Sequence, residues 1–155
     1  MNYRLYLTEN CNLKCKYCYE KNKTTNEMDF ENIKSIVDYE IQQNNKNSLI
    51  NFYGGEPLVF WDKVKEIVLK IEEMGKPDNL YFTMITNGKL FDEEKVKFVN
   101  EHFNGVCISW DGRNSIKTRG YNVFEDNKEN IFGMVERNEV DLAILPGEIK
   151  SPQID

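Results

Sequence analysis

Hydrophobic and polar positions along the chain repeat with two different periods. Short runs rich in aromatic and apolar residues at 3–8, 49–53, 80–85, 105–110 and 140–144 read as β-strands. Between the first two, Phe30, Ile33, Val37 and Ile41 recur at helical spacing and predict a helix over about residues 28–44, with Asp29 as its cap. Val64, Ile67, Val68 and Ile71 predict a second helix, ended by Gly75-Lys76-Pro77-Asp78-Asn79. Further helices are expected at about 92–102 and 127–138. Strands alternating with helices of this length mean right-handed βαβ crossovers and a parallel sheet, about four and a half βα units in all. The expected fold is α/β, a partial (β/α) barrel over residues 1–145, followed by a polar tail at 146–155 that forms no domain.

Each strand runs directly into a polar or glycine-containing segment. These are Cys11-Asn12-Leu13-Lys14-Cys15-Lys16-Tyr17-Cys18, Gly54-Gly55-Glu56-Pro57, Thr86-Asn87-Gly88 and Ser109-Trp110-Asp111-Gly112. In a parallel sheet such segments emerge together at the carboxyl edge, where ligands bind in α/β folds. Four segments far apart in sequence therefore converge on one site.

Composition narrows the possibilities. The 155 residues fit one compact unit and fall short of a complete (β/α)₈ barrel, which needs about 250. A net charge of −6 argues against a nucleic-acid partner, which demands a basic face. No apolar run approaches the roughly 20 residues that span a bilayer, and the first residues lack a signal-peptide layout. The expected setting is a reducing cytoplasm.

In that setting the thiols are informative. Cys11, Cys15 and Cys18 lie within eight residues, while Cys107 stands apart. A tight thiol cluster in a reducing compartment reads as a metal site rather than a disulfide framework. Structural zinc takes four ligands, and the candidates for a fourth are Cys107 and His102, the one histidine. Three thiolates on a [4Fe–4S] cluster instead leave one iron open to a small molecule. The spacing favours the cluster, with zinc as the alternative. His102 reads on its own as a surface residue; Cys107 alternates with Ser109 and so shares its strand face, but reads as a small core filler.

Cys11-x₃-Cys15-x₂-Cys18, with Tyr17 before the last thiol, resembles the signature of the radical S-adenosylmethionine (SAM) superfamily. Gly54-Gly55-Glu56-Pro57 resembles its amino-group motif. Thr86-Asn87-Gly88 and Ser109-Trp110-Asp111-Gly112, followed by Arg119, resemble the subgroup that modifies peptides and proteins, which includes sulfatase-maturing enzymes and ribosomal-peptide maturases, many with a C-terminal SPASM domain.

The resemblance implies a [4Fe–4S] cluster on Cys11, Cys15 and Cys18, whose open iron is chelated by the amino and carboxylate groups of SAM. Gly54 and Gly55 would allow close backbone approach, and Glu56 would accept hydrogen bonds from the ligand ammonium. Thr86 either bonds the ligand or belongs to a common turn. Ser109 and Arg119 correspond to residues holding the SAM carboxylate or ribose. Tyr17 packs near the adenine or cluster, or is a core aromatic. Asp111-Gly112 reads as a turn, with Asp111 facing the substrate as the alternative, and Trp61 and Trp110 read as packing residues.

The implied reaction is reductive cleavage of SAM to a 5′-deoxyadenosyl radical that takes a hydrogen atom from a peptide or protein. The electron would come from a one-electron donor such as flavodoxin or ferredoxin. Relatives usually have six βα units, so the reading also admits a fragment of a longer frame, a second chain completing the barrel, or a non-catalytic cluster-binding remnant.

Overall fold

The computed structural model describes residues 1–21, 23–24, 26–43, 47–135 and 141–145. Five strands, β1 (Asn2–Tyr6), β2 (Ser48–Tyr53), β3 (Leu80–Thr86), β4 (Gly105–Ser109) and β5 (Asp141–Leu145), form one sheet in the order β1-β2-β3-β4-β5. Every neighbouring pair is parallel. This order never reverses, so same-handed crossovers place every connecting helix on one face and leave the other face open as a barrel interior. Within the described residues β4 is paired on both sides, and β1 and β5 are the edges.

The helices are α1 (Phe30–Gln43), α2 (Trp61–Glu73), α3 (Glu93–His102), two short ones after β4, α4 (Ser115–Arg119) and α5 (Val123–Asp126), and then α6 (Lys128–Val135). The long helices match the apolar periodicity. Burial of Val64, Ile67, Val68 and Ile71 presses α2 onto the sheet. Opposite them lie Ile50 and Phe52 from β2 and Leu80, Phe82 and Met84 from β3. The rings of Phe52, Phe82 and Phe103 sit 5.3–6.1 Å apart at the centre of this core.

Helix starts show where sequence reasoning needs amending. Asp29 does not carry the start of α1: its carboxylate meets Lys63 at 3.3 Å, and the side chain of Asn32 accepts from the Asp29 N–H at 2.9 Å instead. Asp92 caps α3 by accepting from the Lys95 N–H at 2.9 Å. The stretch after β4, without a strong apolar period, folds as a 3₁₀ turn (Gly112–Asn114) followed by α4 and α5. The last part of the predicted fourth helix, the first residue of the predicted fifth strand and the tail at 146–155 lie outside the described residues.

Strand alternation sorts the two faces. Ser48, Ile50 and Phe52 of β2 are buried under the helices, while Leu49, Asn51 and Tyr53 are half-buried on the open face. Cys107 follows the second set, so it is not a core filler. It lies half-buried on the open face, in register with Ile85. His102 is more than a bare surface residue, since Nδ1 pairs with Glu72 at 2.9 Å and the ring stacks on Phe98. Trp61 and Trp110 are packing residues as expected, set edge-on against Phe98 and Phe124. Among the described residues no helix is long and apolar enough to cross a membrane.

Candidate functional site

The segment after β1 has no regular structure, yet it is anchored at both ends. Thr8 bridges to Glu27, and the Met28 N–H donates to the Leu7 carbonyl at 2.9 Å. The loop thus leaves and re-enters at the carboxyl end of β1, holding its thiols above the open face. All three thiols are free and half-buried. Burial pushes the thiols of Cys11 and Cys15 up, opposed by Lys23 at Cys11 and by Arg119 at Cys15. The Leu13 N–H points to the Cys11 sulfur at 3.4 Å.

The segment after β2 packs against this loop through backbone alone. The Gly55 N–H donates to the Thr8 carbonyl at 2.6 Å and the Glu56 N–H to that of Asn10 at 2.9 Å. A Cβ at Gly55 would lie 2.2 Å from the Asn10 oxygen, and one at Gly54, whose φ is +136°, would lie 2.5 Å from the Thr8 oxygen. Two consecutive positions therefore exclude any side chain. Pro57 opens the 3₁₀ turn (Pro57–Phe60) that leads into α2, and Glu56 caps it by accepting from the Leu58 N–H at 3.1 Å.

Glu56 is the most buried ionisable group at the site, with 1% of its surface exposed. Besides Leu58, its Oε1 accepts from the Thr86 hydroxyl at 2.6 Å, and its Oε2 from the Asn87 N–H at 2.8 Å. Burial nevertheless dominates and pushes its carboxyl up to about 6. With one bond on Oε2, that oxygen keeps room for another donor. Thr86 has its hydroxyl proton committed to Glu56 while its oxygen accepts from the Gly88 N–H at 3.0 Å, so it braces the carboxylate.

The segment after β4 supplies the remaining wall. Asp111, expected to be a simple turn residue, is almost fully enclosed. It accepts from the Tyr17 hydroxyl at 2.8 Å, the Thr118 hydroxyl at 2.6 Å and Arg119 Nη2 at 3.1 Å. The Arg119 guanidinium lies 5.3 Å from the centroid of the Tyr17 ring.

One cavity of about 410 Å³ joins these parts, within the size range of small-molecule sites. Its lining brings together Cys11, Cys15, Tyr17, Cys18, Gly54, Gly55, Glu56, Thr86, Ser109 and Arg119, every site residue singled out from the sequence. Tyr17 belongs to this wall and not to the core.

Sequence reasoning passed over several residues that share the wall, among them Arg4, Lys23, Tyr53 and Asn87. Asn87 donates from Nδ2 to Asn12 Oδ1 at 2.9 Å and approaches the Cys11 sulfur at 3.9 Å. Its signal in the sequence is its place beside Thr86 in Thr86-Asn87-Gly88. The Lys23 ammonium donates to the Leu13 carbonyl beneath the thiols. Tyr19 and Tyr53 share a hydrogen bond of 2.8 Å, and Tyr6 donates to Glu20 at 2.6 Å on the same side of the cavity.

An open barrel half with a three-thiol loop at the carboxyl end of its first strand defines a cofactor-dependent class, and the comparisons agree. Residues 5–138 match the Radical SAM superfamily, and the chain belongs to it. It is 35% identical over 108 residues to an uncharacterized protein of Methanocaldococcus jannaschii, covering 70% of this chain and 37% of that one. It is 33% identical over 117 residues to the cysteine-type anaerobic sulfatase-maturating enzyme of Clostridium perfringens, covering 68% and 31%. The radical SAM cyclopropyl synthase TigE of Paramaledivibacter caminithermalis is 26% identical over 156 residues, covering 88% and 32%.

Among solved structures, anSMEcpe with bound AdoMet and the Cp18Cys peptide aligns with a TM-score of 0.69 at 27% identity, covering 92% of this chain and 42% of that one. BtrN in complex with AdoMet and 2-DOIA aligns at 0.67, covering 96% and 58%, with 16% identity, and so shares the fold. The chain spans about a third of the length of the curated relatives named here.

Proposed function

We propose that this chain holds a [4Fe–4S] cluster on Cys11, Cys15 and Cys18 and binds SAM in the adjoining cavity, for radical chemistry on a peptide or protein substrate. The observation that carries this reading is the meeting of the three thiols with Glu56, Thr86, Ser109 and Arg119 around one cavity, drawn from the carboxyl ends of β1, β2, β3 and β4.

The donor set fits the group. Structural zinc takes four ligands, and neither Cys107 nor His102 lines the cavity that the three thiols share. Three thiols on one loop suit ligation of three separate irons, one thiolate each, and this favours the cluster over the zinc alternative. When bound, the cluster and SAM supply one-electron cleavage of a carbon–sulfur bond and a carbon radical able to abstract hydrogen, with the electron delivered by a carrier such as flavodoxin or ferredoxin.

The chain's own residues then bind and orient. The remaining acceptor capacity of Glu56 Oε2 suits an ammonium group, a charge-assisted contact that also favours the ionised carboxylate. Ser109 and Arg119 suit the carboxylate or ribose of SAM. Gly54 and Gly55 leave backbone where a side chain would obstruct the cluster loop. Further down the open face, Asn51 Oδ1 and Thr83 Oγ1 are adjacent in register and lack hydrogen-bond partners among the described residues. They are suited to a polar substrate such as a peptide backbone. The relative named as maturating a sulfatase, and the neighbour solved with the Cp18Cys peptide, support that substrate class.

The test is anaerobic reconstitution with iron and sulfide, followed by SAM and dithionite. The reading expects about four irons and four sulfides per chain, lost when the three cysteines are replaced by alanine, and release of methionine and 5′-deoxyadenosine. Zinc without sulfide would overturn it. A second reading keeps the same site in a half-domain that turns over only beside another polypeptide, which would pair at β1 or β5, the edges among the described residues. Cluster and SAM binding without 5′-deoxyadenosine, restored by a second chain, distinguishes the two.

A further inference from the structure

Asp111 lies on the short stretch between β4 and α4, but its bonds reach a different part of the chain. Tyr17 stands 94 residues earlier, inside the cysteine loop, and gives its hydroxyl proton to Oδ2 at 2.8 Å. Thr118 donates to the same oxygen at 2.6 Å, and Arg119 Nη2 donates to Oδ1 at 3.1 Å. The backbone repeats the tie one residue away, where the Lys16 N–H donates to the Thr118 carbonyl at 2.8 Å. The cysteine loop and α4 are therefore joined through side chain and backbone at one place.

The Asp111–Arg119 pair is buried, with 6% and 8% of the side chains exposed. A buried pair of this kind is weak evidence for stability, because desolvation offsets much of the attraction. It does set direction. One edge of the guanidinium faces Asp111, its plane lies beside the Tyr17 ring, and Nε is buried with no hydrogen-bond partner among the described residues. Arg119 also lines the cavity. An unmatched buried N–H is costly unless something accepts from it. The arrangement is that of a donor held for a ligand, with its charge already balanced by Asp111.

We propose that Asp111 is a positioning residue that fixes Arg119 against Tyr17, so that the unpaired Nε–H of Arg119 is presented to SAM and the SAM-binding wall is locked to the cluster-bearing loop. This rests on the reading that Arg119 contacts SAM, and it assigns to Asp111 no contact of its own with the ligand. At least three donors converge on this carboxylate, so an uncharged amide there cannot serve all of them in the same orientation.

The experiment is a double-mutant cycle on the reconstituted full chain. SAM affinity is measured by equilibrium dialysis for the wild type, Asp111→Asn, Arg119→Lys and the double variant, with iron and sulfide determined for each. Both single variants are expected to keep their iron and sulfide and to weaken SAM binding about tenfold. The double variant is expected to be no weaker than the worse single one, because both changes remove the same contact. Unaltered or tighter SAM binding by Asp111→Asn overturns the proposal, as do losses that multiply to about a hundredfold.

If Asp111→Asn does not fold or load, Tyr17→Phe with Thr118→Val loosens the same carboxylate while keeping its charge. That variant should weaken SAM binding several-fold, and wild-type affinity in it overturns the proposal. Failure of the wild type to bind SAM at all rejects the function proposed above, a result separable from failure of the Asp111 cycle alone.

Discussion

Thr86 gives its hydroxyl proton to Glu56 at 2.6 Å, joining the last residue of β3 to the turn that follows β2. The bond is buried, and with the Asn87 N–H it surrounds a carboxyl group that water does not reach. The carboxyl end of the sheet thus holds a group whose ionisation is costly until a cation arrives.

That cost has a sign. In the folded chain the Glu56 carboxyl is raised from 4.5 to about 6, so folding takes up a proton between those values. Stability of the metal-free chain should therefore fall as pH rises through this window, by about 2 kcal/mol from this group. Glu56→Gln has no proton to take up and should lack this part of the slope. Urea unfolding of both proteins under argon, from pH 4 to pH 7.5, checks it. Parallel stability curves would show that Glu56 is not the cause.

Gly55 should not tolerate alanine. The added Cβ would meet backbone of Glu9 and Asn10, at 2.6 Å and 2.2 Å, with no flexible side chain able to give way. Either the cysteine loop or the turn before Pro57 must move, at a cost of about 2–4 kcal/mol in the range of severe overpacking. Denaturation midpoints should drop, and the variant should retain less iron on reconstitution than wild type.

Gly133 is the contrasting case. It lies inside α6, and an added Cβ would find Val96 at 3.6 Å, an ordinary contact. Gly133→Ala should stabilise the chain by about 0.5–1 kcal/mol through helix propensity. A lower melting temperature would mean that α6 packs more tightly on α3 than these distances indicate.

Asn87 should influence the potential of a cluster bound at Cys11. Its amide approaches the Cys11 sulfur at 3.9 Å, and N–H groups directed at cluster sulfurs favour the reduced, more negative state. Asn87→Ala should move the midpoint to more negative values, followed by redox titration with electron paramagnetic resonance. An unmoved midpoint would reduce the amide to a bracket for Asn12.

Much of this architecture was legible in the chain itself. The helix on Val64, Ile67, Val68 and Ile71, the strands and the polar segments after them depend on neighbours a few residues apart, and periodicity records such neighbours directly. The cysteine spacing is local in the same way. Even the common destination of the site residues followed from topology, since parallel strands all end at one edge.

Other features depend on register and burial, which local pattern does not encode. In β3, Leu80, Phe82 and Met84 alternate with Tyr81 and Ile85, so both faces carry large apolar side chains, and only packing shows which faces the helices. The placement of Cys107 on the open face follows from the same choice. Asp111 resembled an ordinary turn residue because its partner Tyr17 is 94 positions away. Sequence determined the strands, the long helices, the thiol loop and the family. Tertiary structure decided which carboxylate is enclosed and which is paired, because desolvation and hydrogen bonding act between groups that only the folded chain brings together.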